Sequence, residues 1–138
     1  MEHATTVLIA DSAEEFCSSL SAALRKTEGF QIVGIATDGE QAIRMIQERK
    51  PEILVLDLML TKQDGLSVLK AVGAMEKRPI TLVTSAFVTD YVSAAVANLG
   101  GKYLTLKPCD MTALVERMDE LRVGENLRLA PGRRNEKN

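Results

Sequence analysis

Five short runs of β-branched and aliphatic residues punctuate the chain, at Thr6–Ala10, Phe30–Ala36, Ile53–Asp57, Ile80–Ser85 and Lys102–Leu106. Each is followed by a stretch in which apolar positions return at helical spacing. The first, third and fourth runs are nearly continuous in Val, Ile and Leu, the pattern of strands covered on both faces of a parallel sheet, so they are predicted to be central. Between the runs, Phe16, Leu20, Ala23 and Leu24 share one helical face, as do Ala42, Ile43 and Ile46, and later Leu114, Met118 and Leu121. The segment from about Thr89 to Leu99 is the weakest of the predicted helices. Its Ser93-Ala94-Ala95-Val96-Ala97 stretch has small side chains and little to bury, which makes it a candidate for movement.

The junctions carry matching punctuation. Ser12-Ala13-Glu14-Glu15 reads as a capping box with Ser12 as the N-cap of the first helix, and Asp38 with Gln41 repeats that logic. Gly29 and Gly100-Gly101 follow helical stretches, where a left-handed residue commonly ends a helix, and Lys50-Pro51 stops another. Five βα repeats with short connections imply right-handed crossovers, hence a doubly wound α/β fold with a parallel five-stranded sheet in the order 2-1-3-4-5. From Gly124 onward the periodicity is lost, and Ala130-Pro131-Gly132-Arg133-Arg134 opens a polar end. Residues 1–123 are therefore predicted to be one domain and residues 124–138 a linker or disordered tail.

A length of 138 residues with 46 % hydrophobic content suits a single core. Lys+Arg 17 against Asp+Glu 19 gives a charge of −2, which provides no global field toward nucleic acid or an anionic membrane. No apolar run reaches the roughly 18 residues of a membrane helix, and Met1-Glu2-His3 is not a secretory start, so the expectation is a cytoplasmic protein. Cys17 and Cys109 lack metal-ligand spacing and read as reduced thiols in ordinary packing, while His3 reads as a solvated end residue.

Ligands of an open parallel sheet collect outside the carboxyl ends of its strands, so the strand-end residues are the ones to read. They are Asp11, Asp57, Ser85 and Lys107-Pro108: two carboxylates, a hydroxyl and an ammonium on one edge. Neighbouring carboxylates repel unless something positive lies between them, and an oxygen-rich acidic pair suits a hard cation such as Mg²⁺ or another divalent ion. With a phosphoryl group held there, one carboxylate can attack phosphorus in line while Lys107 and the metal neutralise the equatorial oxygens. Asp57 is the better nucleophile because it ends a central strand, where an unpartnered carboxylate would be costly. Ser85 can donate to a phosphoryl oxygen.

Ile9-Ala10-Asp11, Val55-Leu56-Asp57-Leu58-Met59, Asp64-Gly65, Thr84-Ser85-Ala86 and Leu106-Lys107-Pro108 together resemble response-regulator receivers over roughly residues 5–123. Within that family the stretches Asp64-Gly65-Leu66-Ser67-Val68-Leu69 and Leu106-Lys107-Pro108-Cys109-Asp110-Met111 are similar to receivers of the sporulation transcription factors of endospore-forming bacteria. The resemblance implies a flavodoxin-like, CheY-like fold and a regulatory rather than enzymatic role. It also implies phosphotransfer from a histidine kinase or phosphotransfer protein to Asp57, with Asp11, Asp57 and the Met59 backbone carbonyl around Mg²⁺. Ser85 and Lys107 would sense the phosphoryl group, Lys107–Pro108 would be cis, and a homodimer could form on phosphorylation. DNA binding, if any, would belong to a separate domain.

Three positions depart from the family pattern. Ser12 stands where the second acid, normally the direct metal ligand, is expected; Thr61 replaces a proline; and Leu104 occupies the switch-aromatic position, with Tyr103 one residue away and so on the opposite side of the strand. These departures support an alternative, a degenerate receiver that binds partners without phosphate. A flavodoxin-like cofactor binder is disfavoured, since Asp11-Ser12-Ala13-Glu14-Glu15 is acidic where a phosphate cradle would offer glycines and free N–H groups.

Overall fold

A computed structural model describes residues 3–129. Strands and helices alternate without exception: β1 (Thr5–Ala10), α1 (Glu14–Arg25), β2 (Phe30–Ala36), α2 (Gly39–Arg49), β3 (Ile53–Asp57), α3 (Gly65–Gly73), β4 (Ile80–Ser85), α4 (Asp90–Asn98), β5 (Tyr103–Leu106) and α5 (Met111–Leu129). The five strands form one parallel sheet in the order β2-β1-β3-β4-β5, as the periodicity predicts.

Alternation along the central strands divides the core in two. Leu8, Ala10, Leu54, Leu56 and Val83 point to one face and pack with Ala42, Ile46, Val68, Leu69 and Val96 of α2, α3 and α4. Val7, Ile9, Ile53, Val55 and Leu82 point to the other and meet Leu20, Leu24, Leu114 and Met118 of α1 and α5. Burial on both faces is why these strands read as continuous apolar runs.

Several helix ends behave as the sequence suggests. Asp38 caps α2, its Oδ1 accepting from Gln41 N at 2.8 Å, while Gln41 Oε1 reaches back to Thr37 N at 2.6 Å. Lys50 closes α2 in the left-handed region at φ 46, and Gly29 and Gly100 adopt φ 102 and 95. The first helix corrects the expectation for Ser12. Its N-cap is Ala13, without a side-chain cap, and Ser12 is exposed. The aspartate one position earlier takes the free donor instead, Asp11 Oδ1 accepting from Ala13 N at 2.8 Å. An Asp can do this two residues ahead of itself in an Asx turn, which starts the helix one residue later than the Ser-x-x-Glu pattern indicates.

The last helix also differs from expectation. It runs through Leu129, past the change of composition at Gly124, because nothing in Val123-Gly124-Glu125-Asn126 is a strong enough break to stop backbone hydrogen bonding. Residues 130–138 of the predicted tail lie outside the described residues. Among the described residues, no helix is long and apolar enough to cross a membrane.

Candidate functional site

Asp11 follows β1, Asp57 ends β3, Ser85 ends β4 and Lys107 follows β5. In-register parallel pairing aligns these ends: Ala10 lies opposite Leu56, Asp57 opposite Thr84 and Ser85 opposite Leu106. The four side chains that the sequence brings forward are thus delivered to one edge by strand register alone.

At that edge Asp11 is 1 % and Asp57 6 % exposed, so both carboxylates need partners close by. The partner is Lys107, whose Nζ donates to Asp11 Oδ2 at 2.6 Å and to Asp57 Oδ2 at 3.5 Å. The other Asp57 oxygen, Oδ1, accepts from Met59 N at 3.1 Å, which fixes the plane of the carboxylate. Burial alone would lower the Lys107 ammonium, but the hydrogen bond and charge of Asp11, joined by the charge of Asp57, outweigh it and hold Lys107 above its ordinary value.

Among the described residues, two buried carboxylates face one ammonium, which leaves a surplus of negative charge. That surplus is the feature of the site that fits a hard divalent cation. Among the described residues no group of three or more His, Cys, Asp or Glu is placed to hold a metal. An all-protein cage is therefore absent from them, and the donor set is the one Mg²⁺ commonly uses, one or two carboxylates completed by waters and phosphate oxygens. Of the expected ligands, Asp11 and Asp57 are the ones whose carboxylates meet here and could hold it. Ser12 lies on the rim, lining with Asp11, Glu14 and Thr37 a cleft of about 480 Å³ beside α1.

Ser85 is buried, but its hydroxyl is engaged locally: Oγ donates to Phe87 O at 2.6 Å and accepts from Phe87 N at 3.1 Å. It thereby ties the strand end to the β4–α4 loop. The Lys107–Pro108 bond is cis. Leu104 packs half-buried on the core beneath α4, and Tyr103 lies on the opposite face with the Arg117 guanidinium 4.2 Å from its ring centre. The opposed placement follows from strand alternation. Thr61 supports the β3–α3 loop through its carbonyl, which accepts from Gly39 N at 3.0 Å and Gln63 N at 2.7 Å, an atom that a proline would supply equally well. That loop closes tightly over the strand end: a Cβ on Gly65 would lie 2.6 Å from Asp57 O, so only glycine fits there.

The thiols are both free; Cys17 is buried under the site and its Sγ donates to Asp11 O at 3.3 Å. Burial, reinforced by the Asp11 charge, pushes the Cys17 thiol up, which keeps it protonated and inert. His3 is exposed and pairs with Glu52 at 2.9 Å at the opposite end of the sheet, far from this chemistry. One neighbour of the site is not apparent from the strand-end reading. Phe16, near the start of α1, lies with its ring centre 4.4 Å from Lys107 Nζ. Its only signal in the sequence is an apolar position on the buried face of α1, which reads as core.

Residues 7–119 match the response regulator receiver domain family. Among solved structures, the chain resembles the signal receiver domain of the response regulator NarL from Mycobacterium tuberculosis, with a TM-score of 0.82 and 24 % identity, covering 88 % of this chain and 98 % of that one. It also resembles a chain in the CheX-CheY-BeF3-Mg complex from Borrelia burgdorferi, with a TM-score of 0.78 and 25 % identity over 85 % and 88 % of the two chains. A third likeness is to a DNA-binding response regulator of the LuxR family from Staphylococcus aureus, at 0.78 and 19 % identity over 84 % and 97 %.

Proposed function

Because this chain belongs to the response regulator receiver family, we propose that it is a phosphorylation-controlled switch in which Asp57 is the phosphoryl acceptor. The observation that carries the reading is the Lys107 ammonium held between two buried carboxylates at the end of a central strand. A histidine kinase or phosphotransfer protein supplies the phosphoryl group: an Asp57 carboxylate oxygen forms the new bond to phosphorus as the phosphorus–nitrogen bond of the donor breaks. Asp11, Asp57 and the Met59 carbonyl would hold Mg²⁺, which would neutralise charge on the transferring phosphoryl oxygens. Lys107, already within 3.5 Å of Asp57, supplies a further positive charge. Exchange of the Ser85 hydroxyl from Phe87 to a phosphoryl oxygen frees the β4–α4 loop. The surface that then changes is built from α4, β5 and α5, and includes Tyr103 and Leu104.

The exposed Phe87, Val88, Tyr91 and Leu106 beside α4 support a phosphorylation-dependent homodimer on that side. The likeness to sporulation regulators, and to a DNA-binding response regulator of the LuxR family from Staphylococcus aureus, supports an output in transcription through a separate DNA-binding domain. A second reading, a degenerate receiver that works without phosphate, draws on Ser12, which adds no carboxylate to the site. Intact-mass measurement after treatment with a small phosphodonor and Mg²⁺ separates the two. One phosphoryl adduct on the wild type and none on Asp57→Asn is the expected result; an unmodified wild type establishes the degenerate module, and an equal adduct on the mutant rejects Asp57 as acceptor.

A further inference from the structure

A lysine with four rotatable methylenes gives up considerable rotamer freedom in any fixed position. Lys107 is nonetheless tightly placed, and its distances are unequal, 2.6 Å to Asp11 and 3.5 Å to Asp57. On its third side it faces the ring of Phe16, 4.4 Å from the ring centre. Phe16 is half-buried, packs on the core cluster of α1 and α5, and is therefore stiffly mounted. It also lines a cleft of about 500 Å³ shared with Ala86, Lys107, Pro108, Cys109 and Met111, which runs from the site outward between α1 and the start of α5.

We propose that Phe16 is a positioning residue for Lys107: its π-face lies against the ammonium at the inner end of this cleft and favours Nζ between Asp11 and Asp57 over positions further out. The physical reasons are two. A ring face attracts an ammonium that is already partly desolvated, where the interaction is strongest. An aliphatic side chain of similar bulk would fill the cleft and offer the ammonium nothing, leaving it free to turn toward water along α1. With Phe16 in place, a phosphoryl group arriving on Asp57 finds its counter-charge already within reach, and Lys107 needs to travel only the short distance by which it now favours Asp11. The consequence for phosphoryl binding rests on the function proposed above; the positioning itself does not.

Two measurements test this. In the untreated wild-type protein the ε-methylene protons of Lys107, assigned by their loss in Lys107→Arg, should show an upfield ring-current shift that disappears in Phe16→Leu and persists in Phe16→Tyr. Unshifted Lys107 ε-protons in the wild type overturn the proposal whatever the site binds. Calorimetric titration with beryllofluoride at fixed Mg²⁺ should then show Phe16→Leu binding weaker by roughly three- to tenfold, the span of a half-buried cation–π contact, with Phe16→Tyr restoring affinity. In a Lys107→Ala background the Phe16→Leu effect should vanish, because a merely structural role would persist there. The same loss in both backgrounds rejects positioning, and a wild type that ignores beryllofluoride rejects the proposed function while leaving the ring-current result to judge Phe16.

Discussion

The two helices that flank the site are anchored very differently. α1 buries Cys17, Leu20, Ser21 and Leu24 along its twelve residues, and it contributes Phe16 to the charge pocket. α4, nine residues long, buries Val96 alone, and the loop before it exposes Phe87 and Val88. One side of the site is consequently a fixed wall that holds Asp11 and Lys107. The other is a lightly packed element whose free-energy cost of shifting is small. A switch needs this asymmetry: chemistry on the firm side can be read out as displacement on the loose one.

The largest expected effect breaks the comparison at its base. Leu20→Ala should cost about 2–5 kcal/mol in chemical denaturation, whereas Val96→Ala, removing two methyl groups' worth of burial from α4, should cost about 1–2 kcal/mol. Equal losses would mean that α4 is as firmly anchored as α1. Next in size is the coupling to phosphate. With beryllofluoride and Mg²⁺, hydrogen exchange should change across residues 86–98 while amides of α1 stay as they were, and sedimentation should show a shift toward dimer. An unchanged α4 and unchanged mass would remove the switch from this face.

A smaller effect is expected at Ser12. Since Ala13 rather than Ser12 caps α1, Ser12→Asp should leave the metal-free melting temperature within a degree or two while tightening Mg²⁺ binding, because affinity for hard cations rises with ligand charge. A titration of both proteins with a parallel melt checks this; unchanged affinity in a folded variant would show that position 12 does not reach the metal.

The smallest effect lies at the far end of the sheet. Burial would raise the Glu52 carboxyl, but hydrogen bonds from Thr6 and the neighbouring His3 outweigh it and hold Glu52 below its usual value. A carboxyl lowered in the folded state stabilises above its unfolded pKa and loses that contribution as pH falls through the folded one. Glu52→Gln should therefore lower stability slightly at neutral pH and flatten its decline in acid, without any effect on labelling of Asp57.

Strand alternation and apolar runs are local properties, so the sheet order, the two-sided core and the alignment of Asp11, Asp57, Ser85 and Lys107 on one edge were all legible from the chain. So was the weakness of α4, since a helix of small side chains has little to bury wherever it packs. The start of α1 was not, because Ser12 and Asp11 compete for the same free N–H groups and only the direction of the strand leaving the sheet decides which oxygen arrives. Nor was the continuation of α5 past Gly124, where helix propagation outruns a change in composition. The position of the Lys107 ammonium belongs to tertiary structure altogether. Its three neighbours come from the loop after β1, from β3 and from α1, up to 96 residues away, and distances between such groups exist only once the sheet has brought them together.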